Sequence, residues 1–154
     1  MMAIHKITDD FYEDSFTLVA LHSSMEDYAM VYALNLCLKS SFKRSTKDLD
    51  LSEHISFPIF EWRDEQNDSY WTLISNNSIQ EESLVGSDLF ANEPSFTKHH
   101  LVSEHKDADY LLKIEHDDDS IEKRVVRQLQ SIPRIITAYI LEVDNLKSKN
   151  NLIF

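Results

Sequence analysis

The chain contains one glycine, Gly86, among its 154 residues, and that count constrains it more than any other feature. Loops that cradle phosphates need several glycines, because only a backbone without Cβ lets successive N–H groups close on a ligand. A P-loop and a dinucleotide-binding fingerprint are therefore both excluded, and a G-x-S-x-G nucleophile elbow falls with them. The single cysteine, Cys37, cannot form an internal disulfide or a C-x-x-C zinc pair. A reducing cytoplasm suits that usage.

Length and composition then point to one domain, residues 1–154, with a real core: hydrophobic residues make up 42% and aromatics 10%. Lys and Arg number 15 against 27 Asp and Glu, a net charge of −12. A field of that sign repels nucleic acid and anionic membrane and suits a basic partner. No stretch approaches the roughly 20 apolar residues of a membrane span. The opening MMAIHKITDD lacks the apolar core and cleavage site of a signal peptide. The expectation is a cytoplasmic protein whose residues 1–12 form an N-terminal extension.

Along the chain, SFTLVALH (15–22) reads as a strand buried on both faces. Ser23 and Glu26 have capping-box spacing, and Met25, Tyr28, Ala29, Tyr32, Ala33 and Leu36 mark one helical face ending near Lys39. The basic cluster KSSFKRSTK (39–47) complements that helix C-terminus. ISFPIFEW (55–62) and SYWTLISN (69–76) read as a hairpin, with Pro58 at an edge or bulge. Residues 77–107 read as an irregular excursion, with a short helix opening at Pro94-Ser95 and covering FTKHHLVSEH. DYLLKIE (109–115) is a strand. A second capping box, Asp119 and Glu122, opens a helix with Ile121, Val125, Leu129 and Ile132 as its stripe, ended by Pro133. RIITAYILEV (134–143) is the last strand. This order predicts an α+β two-layer sandwich with about five strands in a mixed sheet and two main helices on one face, a ferredoxin-like variant.

Residues 102–110, VSEHKDADY, resemble the signature of the IPExxxVDY family of small bacterial proteins. Glu104, Asp109 and Tyr110 match it, whereas Val102, Ser103 and Ala108 depart from it, and Ser103 loses the proline. HSSMEDY (22–28), YWTLISN (70–76) and LKSKNNLIF (146–154) also look like the family. The resemblance implies no activity. Family members can be encoded beside ribonuclease III, which implies an RNA-processing partner whose basic surface an acidic protein would cover. Read as residues, Glu104 and Asp109 could serve as acid and base if they converged. The simpler reading puts Glu104 in a turn, Asp109 on backbone N–H groups at the loop-to-strand junction, and Tyr110 in packing.

Other candidates are weighed on chemistry. His22, Ser23 and Ser24 lie where a buried strand meets a helix N-terminus, a place where α/β sheets bind ligands; the plain alternative is a cap. His99, His100, His105 and His116 lie near Asp117, Asp118 and Asp119 but show no ligand spacing, so no metal is expected. Cys37, late in its helix, lacks the setting of a nucleophile. Trp62, Tyr70 and Trp71 are either core or an exposed platform. Lys123, Arg124, Arg127 and Arg134 make the second helix basic, a solvated face or a docking site. The tail, 146–154, carries Leu146, Leu152, Ile153 and Phe154 with Lys147 and Lys149 between them, and is expected to dock on the protein itself or on a partner. These features predict a non-enzymatic interaction or accessory module with no catalytic residues and no cofactor. Its protein partner is unidentified, direct nucleic-acid or membrane binding is not expected, and the oligomeric state stays open. A small-ligand site at His22, Ser23 and Ser24 is the rival reading.

Overall fold

The computed structural model describes residues 16–52, 55–83, 94–118 and 120–154. The expected extension 1–12, Gly86 and Asp119 lie outside them. Among the described residues the chain is α+β. The strands are β1 (Thr17–His22), β2 (Lys43–Arg44), β3 (Leu49–Ser52), β4 (Ile55–Phe57), β5 (Ile59–Asp64), β6 (Ser69–Ser75), β7 (Asn77–Ser83), β8 (Pro94–His100), β9 (Tyr110–Glu115) and β10 (Thr137–Leu141). The helices are α1 (Asp27–Leu38) and α2 (Ile121–Gln130).

The main sheet has six strands in the order β10-β1-β9-β6-β5-β2, and two small sheets pair β3 with β4 and β7 with β8. Every pairing in the main sheet is antiparallel, which corrects the expected five-stranded mixed sheet. The sixth strand comes from the basic cluster, where Lys43 pairs with Glu61 and Arg44 with Phe60. Parallel neighbours are avoided because the helical crossover from β9 through α2 to β10 leaves β1 between its two strands. Pro58, which has no N–H for a ladder, marks the break where the chain leaves the β3/β4 pair and enters β5.

β1 is buried on both faces, as its unbroken apolar run predicts. Val19 and Leu21 join Leu73, Leu112 and Ile114 under the helices, while Leu18 and Ala20 join Ile74, Leu111 and Leu141 on the other face. The helix side is closed by Met30 and Leu34 from α1 and by Ile121, Val125 and Leu129 from α2. No α-helix covers the second face among the described residues. It is sealed by Phe57, by Leu101, Val102 and Ala108 of the segment before β9, and by Leu152 of the tail.

Three local expectations change. The Ser23/Glu26 capping box does not form: Glu26 occupies the N-cap with no side-chain cap bond, and the Ser23 hydroxyl instead accepts the Met25 N–H at 3.1 Å. The buried face of α1 is also the opposite of the one marked, since Tyr28, Tyr32 and Leu36 face solvent. Residues 77–83 and 94–100 form the paired strands β7 and β8 rather than an irregular excursion with a helix opening at Pro94, and Ser103–His105 makes a 3-10 turn; residues 84–93 of the expected excursion lie outside the described residues. α2 keeps its predicted stripe and its N-cap is Ser120; the Asp119 half of the expected second capping box lies outside the described residues.

Candidate protein interface

Glu104, Asp109 and Tyr110 are structural ties. The Asp109 carboxylate accepts the Ser23 backbone N–H at 2.8 Å, fastening the start of β9 to the end of β1. The Tyr110 hydroxyl donates to the Met25 carbonyl at 2.6 Å, and burial, followed by the nearby Asp27, Asp109 and Glu26 charges, pushes its pKa up to about 12. Glu104 lies elsewhere. Its carboxylate accepts the Ser148 hydroxyl and the Ser148 backbone N–H, the latter at 3.1 Å, so it latches the tail. Those Ser148 bonds hold its pKa down at about 2 against the opposing effect of burial. Glu104 and Asp109 therefore hold different segments and do not form an acid–base pair.

The organiser of this segment is a residue that sequence reading passed over. Asn76 is fully buried. Its amide nitrogen donates to the carbonyls of His105 at 2.9 Å and Ala108 at 3.0 Å, and its oxygen accepts the Val102 N–H at 2.8 Å. Its backbone N–H donates to the Asp109 carbonyl at 3.0 Å, and its carbonyl accepts the Leu101 N–H at 3.1 Å. The signal was an asparagine ending a β-rich run in YWTLISN, a residue type that satisfies backbone groups where a ladder stops.

At the first strand–helix junction Ser23 and His22 are engaged inside the fold. The Ser23 hydroxyl donates to the Arg134 carbonyl at 2.8 Å besides accepting from Met25. His22 Nε2 and the Tyr139 hydroxyl are 2.8 Å apart, and Ser24 is exposed. His116 is similarly committed: Nδ1 accepts the Asp118 N–H at 3.1 Å, leaving Nε2 to donate to Thr17 Oγ1 at 2.7 Å, which donates to Glu122 at 3.1 Å. That direction of donation ties the residue after β9 to β1 and α2. Among the described residues no three His, Cys, Asp or Glu side chains gather in a way that could hold a metal ion.

Trp71 is buried, donating to Ser69 Oγ at 2.8 Å, and half-buried Trp62 packs on it with ring centroids 5.3 Å apart. Cys37 is half-buried and its thiol donates to the Gln128 carbonyl at 3.2 Å. In the tail, Leu152 is fully buried in the second core, and the Asn151 amide donates to the Leu101 carbonyl at 3.0 Å. Ile153 and Phe154 are partly exposed, with the Phe154 ring 4.1 Å from the Lys113 Nζ; Lys149 pairs with Asp144 at 3.3 Å, and Lys147 is exposed.

Ile136, Leu51, Ile153 and Phe154 are exposed on separate elements, whereas the outer face of α1 gathers three large exposed side chains on one helix. Between Tyr28 and Leu38 this helix carries no charged residue, and its one polar residue, Asn35, accepts from the Ser40 hydroxyl and the Phe42 N–H within the fold, so the helix is apolar on nearly every side. A helix of that kind is normally buried on every side. Here Met30 and Leu34 are fully buried, yet Tyr28, Tyr32 and Leu36 are 69%, 68% and 66% exposed. These three large side chains repeat every fourth residue and form one stripe. Beside its Leu36 end lies a basic concavity of about 580 Å³ lined by Ser120, Lys123, Arg124, Arg127 and Gln128. The Cys37–Gln128 bond joins the two. Comparison with protein-family models, with curated proteins and with solved structures found no match.

Proposed function

We propose that this protein is a non-catalytic interaction module, a variant of the IPExxxVDY family, that docks through the outer face of α1. One observation carries the reading: three large side chains, each about two-thirds exposed, form a row on a helix without a charge of its own. Contiguous exposed apolar groups of this kind mark association surfaces, and tyrosine is enriched among residues that dominate binding energy. The internal commitments of Ser23, His22 and His116 favour this reading over a ligand site at His22, Ser23 and Ser24. The order β10-β1-β9-β6, with β1 between β9 and β10 and β9 between β1 and β6, supports reading the fold as a ferredoxin-like variant with added strands. The net charge of −12 favours a second reading, a cytoplasmic protein that covers the basic surface of an RNA-processing partner.

The test is quantitative binding with the full chain and two variants, Tyr32→Glu and Leu36→Glu. A partner bound by the wild type, and weakened about tenfold or more by either variant at unchanged melting temperature, supports the proposal. Equal binding by all three proteins overturns it, as does the absence of any partner, including a second copy. The second reading stands only if the complex weakens steeply with added salt.

A further inference from the structure

We infer that the partner seated on α1 is a second copy of this chain, packed about a two-fold axis at Tyr32; this rests on the interface reading above. The stripe itself is symmetric about its centre, with Tyr28 four residues before Tyr32 and Leu36 four after. An antiparallel two-fold pairing sets Tyr32 against Tyr32 and Tyr28 against Leu36, apolar against apolar at each level. The half-buried Ala29 and Ala33 flank the stripe and let a second helix approach closely.

Charge selects this arrangement. Glu26 and Asp27 stand at the Tyr28 end of the stripe. At the Leu36 end stand Lys39, exposed beyond the helix, and the Lys123, Arg124 and Arg127 cluster that the Cys37–Gln128 contact brings alongside. Arg124 shares its charge with Asp118 at 3.8 Å, but Lys123 and Arg127 make no ion pair among the described residues. Arg44 also stands near the Tyr28 end, over the Phe60 ring on which Tyr28 packs, but it is paired with Asp48, so one end of the face is acidic on balance and the other basic. Antiparallel pairing places acid against base at both ends, whereas parallel pairing opposes like charges. The overall negative charge of each copy acts mainly beyond the Debye length of about 8 Å at physiological salt, so the opposite charges at the contact outweigh it. A face of about three helical turns is small for a permanent dimer, so association is weak and concentration-dependent.

The experiment is sedimentation equilibrium of the full chain from micromolar to millimolar concentration. The wild type is expected to shift from monomer to dimer. Tyr32→Glu, which brings two carboxylates together on the axis, is expected to stay monomeric with an unchanged melting temperature. Arg127→Glu and Asp27→Arg are each expected to weaken the dimer about tenfold or more, and mixing those two variants is expected to restore it. A wild type that stays monomeric throughout overturns the inference. A dimer indifferent to Tyr32→Glu also overturns it, as does failure of the mixture to recover. If the wild type is monomeric but Tyr32→Glu still abolishes binding of another protein, this inference fails and the interface reading survives. If Tyr32→Glu changes neither, both fail.

Discussion

Replacing Asn76 with alanine should cost more than any other single polar substitution in the signature region. The change removes three short hydrogen bonds, at 2.8, 2.9 and 3.0 Å, from a side chain with no exposed surface. Each bond contributes about 0.5–1.5 kcal/mol net, and a buried group left unpaired costs about 1–3 kcal/mol. Val102 and Ala108 are themselves fully buried, so their stranded N–H and carbonyl meet little solvent. Water entering the vacated space can repair part of the loss. The expected destabilisation is about 2–4 kcal/mol, a large share of the roughly 5–15 kcal/mol that holds a domain together. Urea unfolding measures it as a lower midpoint at an unchanged slope. Asn76→Asp sharpens the test. It keeps an acceptor for the Val102 N–H but turns a carboxylate oxygen toward the carbonyls of His105 and Ala108. Burial and those two carbonyls raise the introduced carboxyl's folded pKa above its unfolded value of about 3.9. The added penalty is therefore present at neutral pH and is relieved as pH falls towards that value. Asn76→Asp should accordingly be less stable than Asn76→Ala at pH 7, and the gap should narrow on acidification. A cost below about 0.5 kcal/mol for Asn76→Ala, the size of an ordinary surface substitution, would refute the reasoning.

Leu152→Ala should lose about 2–5 kcal/mol, because the side chain is fully buried in the second core, whereas removing Phe154, only half-covered, should cost much less; thermal melts of both variants decide this. The Glu104 latch sets an acid limit on the tail. Its folded pKa of about 2 lies below the ordinary 4.5, so the tie is intact above pH 4.5 and is lost as pH falls towards 2. Protection of the Ser148 amide, taken relative to its intrinsic exchange rate at each pH, should fall over that window in the wild type, and Glu104→Gln should flatten the pH dependence. On α1, Met30→Ala should cost about 2–5 kcal/mol while Tyr32→Ala stays within about 0.5 kcal/mol; equal losses would mean the helix buries a different face.

Much of the local structure was legible without coordinates. The unbroken apolar run of β1 required burial on both faces, and the core clusters divide it between Val19 and Leu21 on one side and Leu18 and Ala20 on the other. Ile121, Val125 and Leu129 sit under a helix whose other positions are mostly charged or polar, so the stripe of α2 had only one phase. The roles of Glu104 and Asp109 were less accessible. Five residues apart in sequence, they fasten segments 44 and 86 residues away, and no local spacing encodes such a partner.

The contrast is clearest in α1. Local pattern makes this segment helical and apolar, but residues 28–38 hold no charge to say which side is out, so the periodicity has no unique phase. The marked row of Met25, Tyr28, Ala29, Tyr32, Ala33 and Leu36 was one apolar face of two. Packing against the sheet buried Met30 and Leu34, and left the tyrosines outside. The antiparallel order of the main sheet was decided in the same way. Register between β1, β9 and β10 depends on pairings about 90 to 120 residues apart, and only burial of both sheet faces at once selects among them.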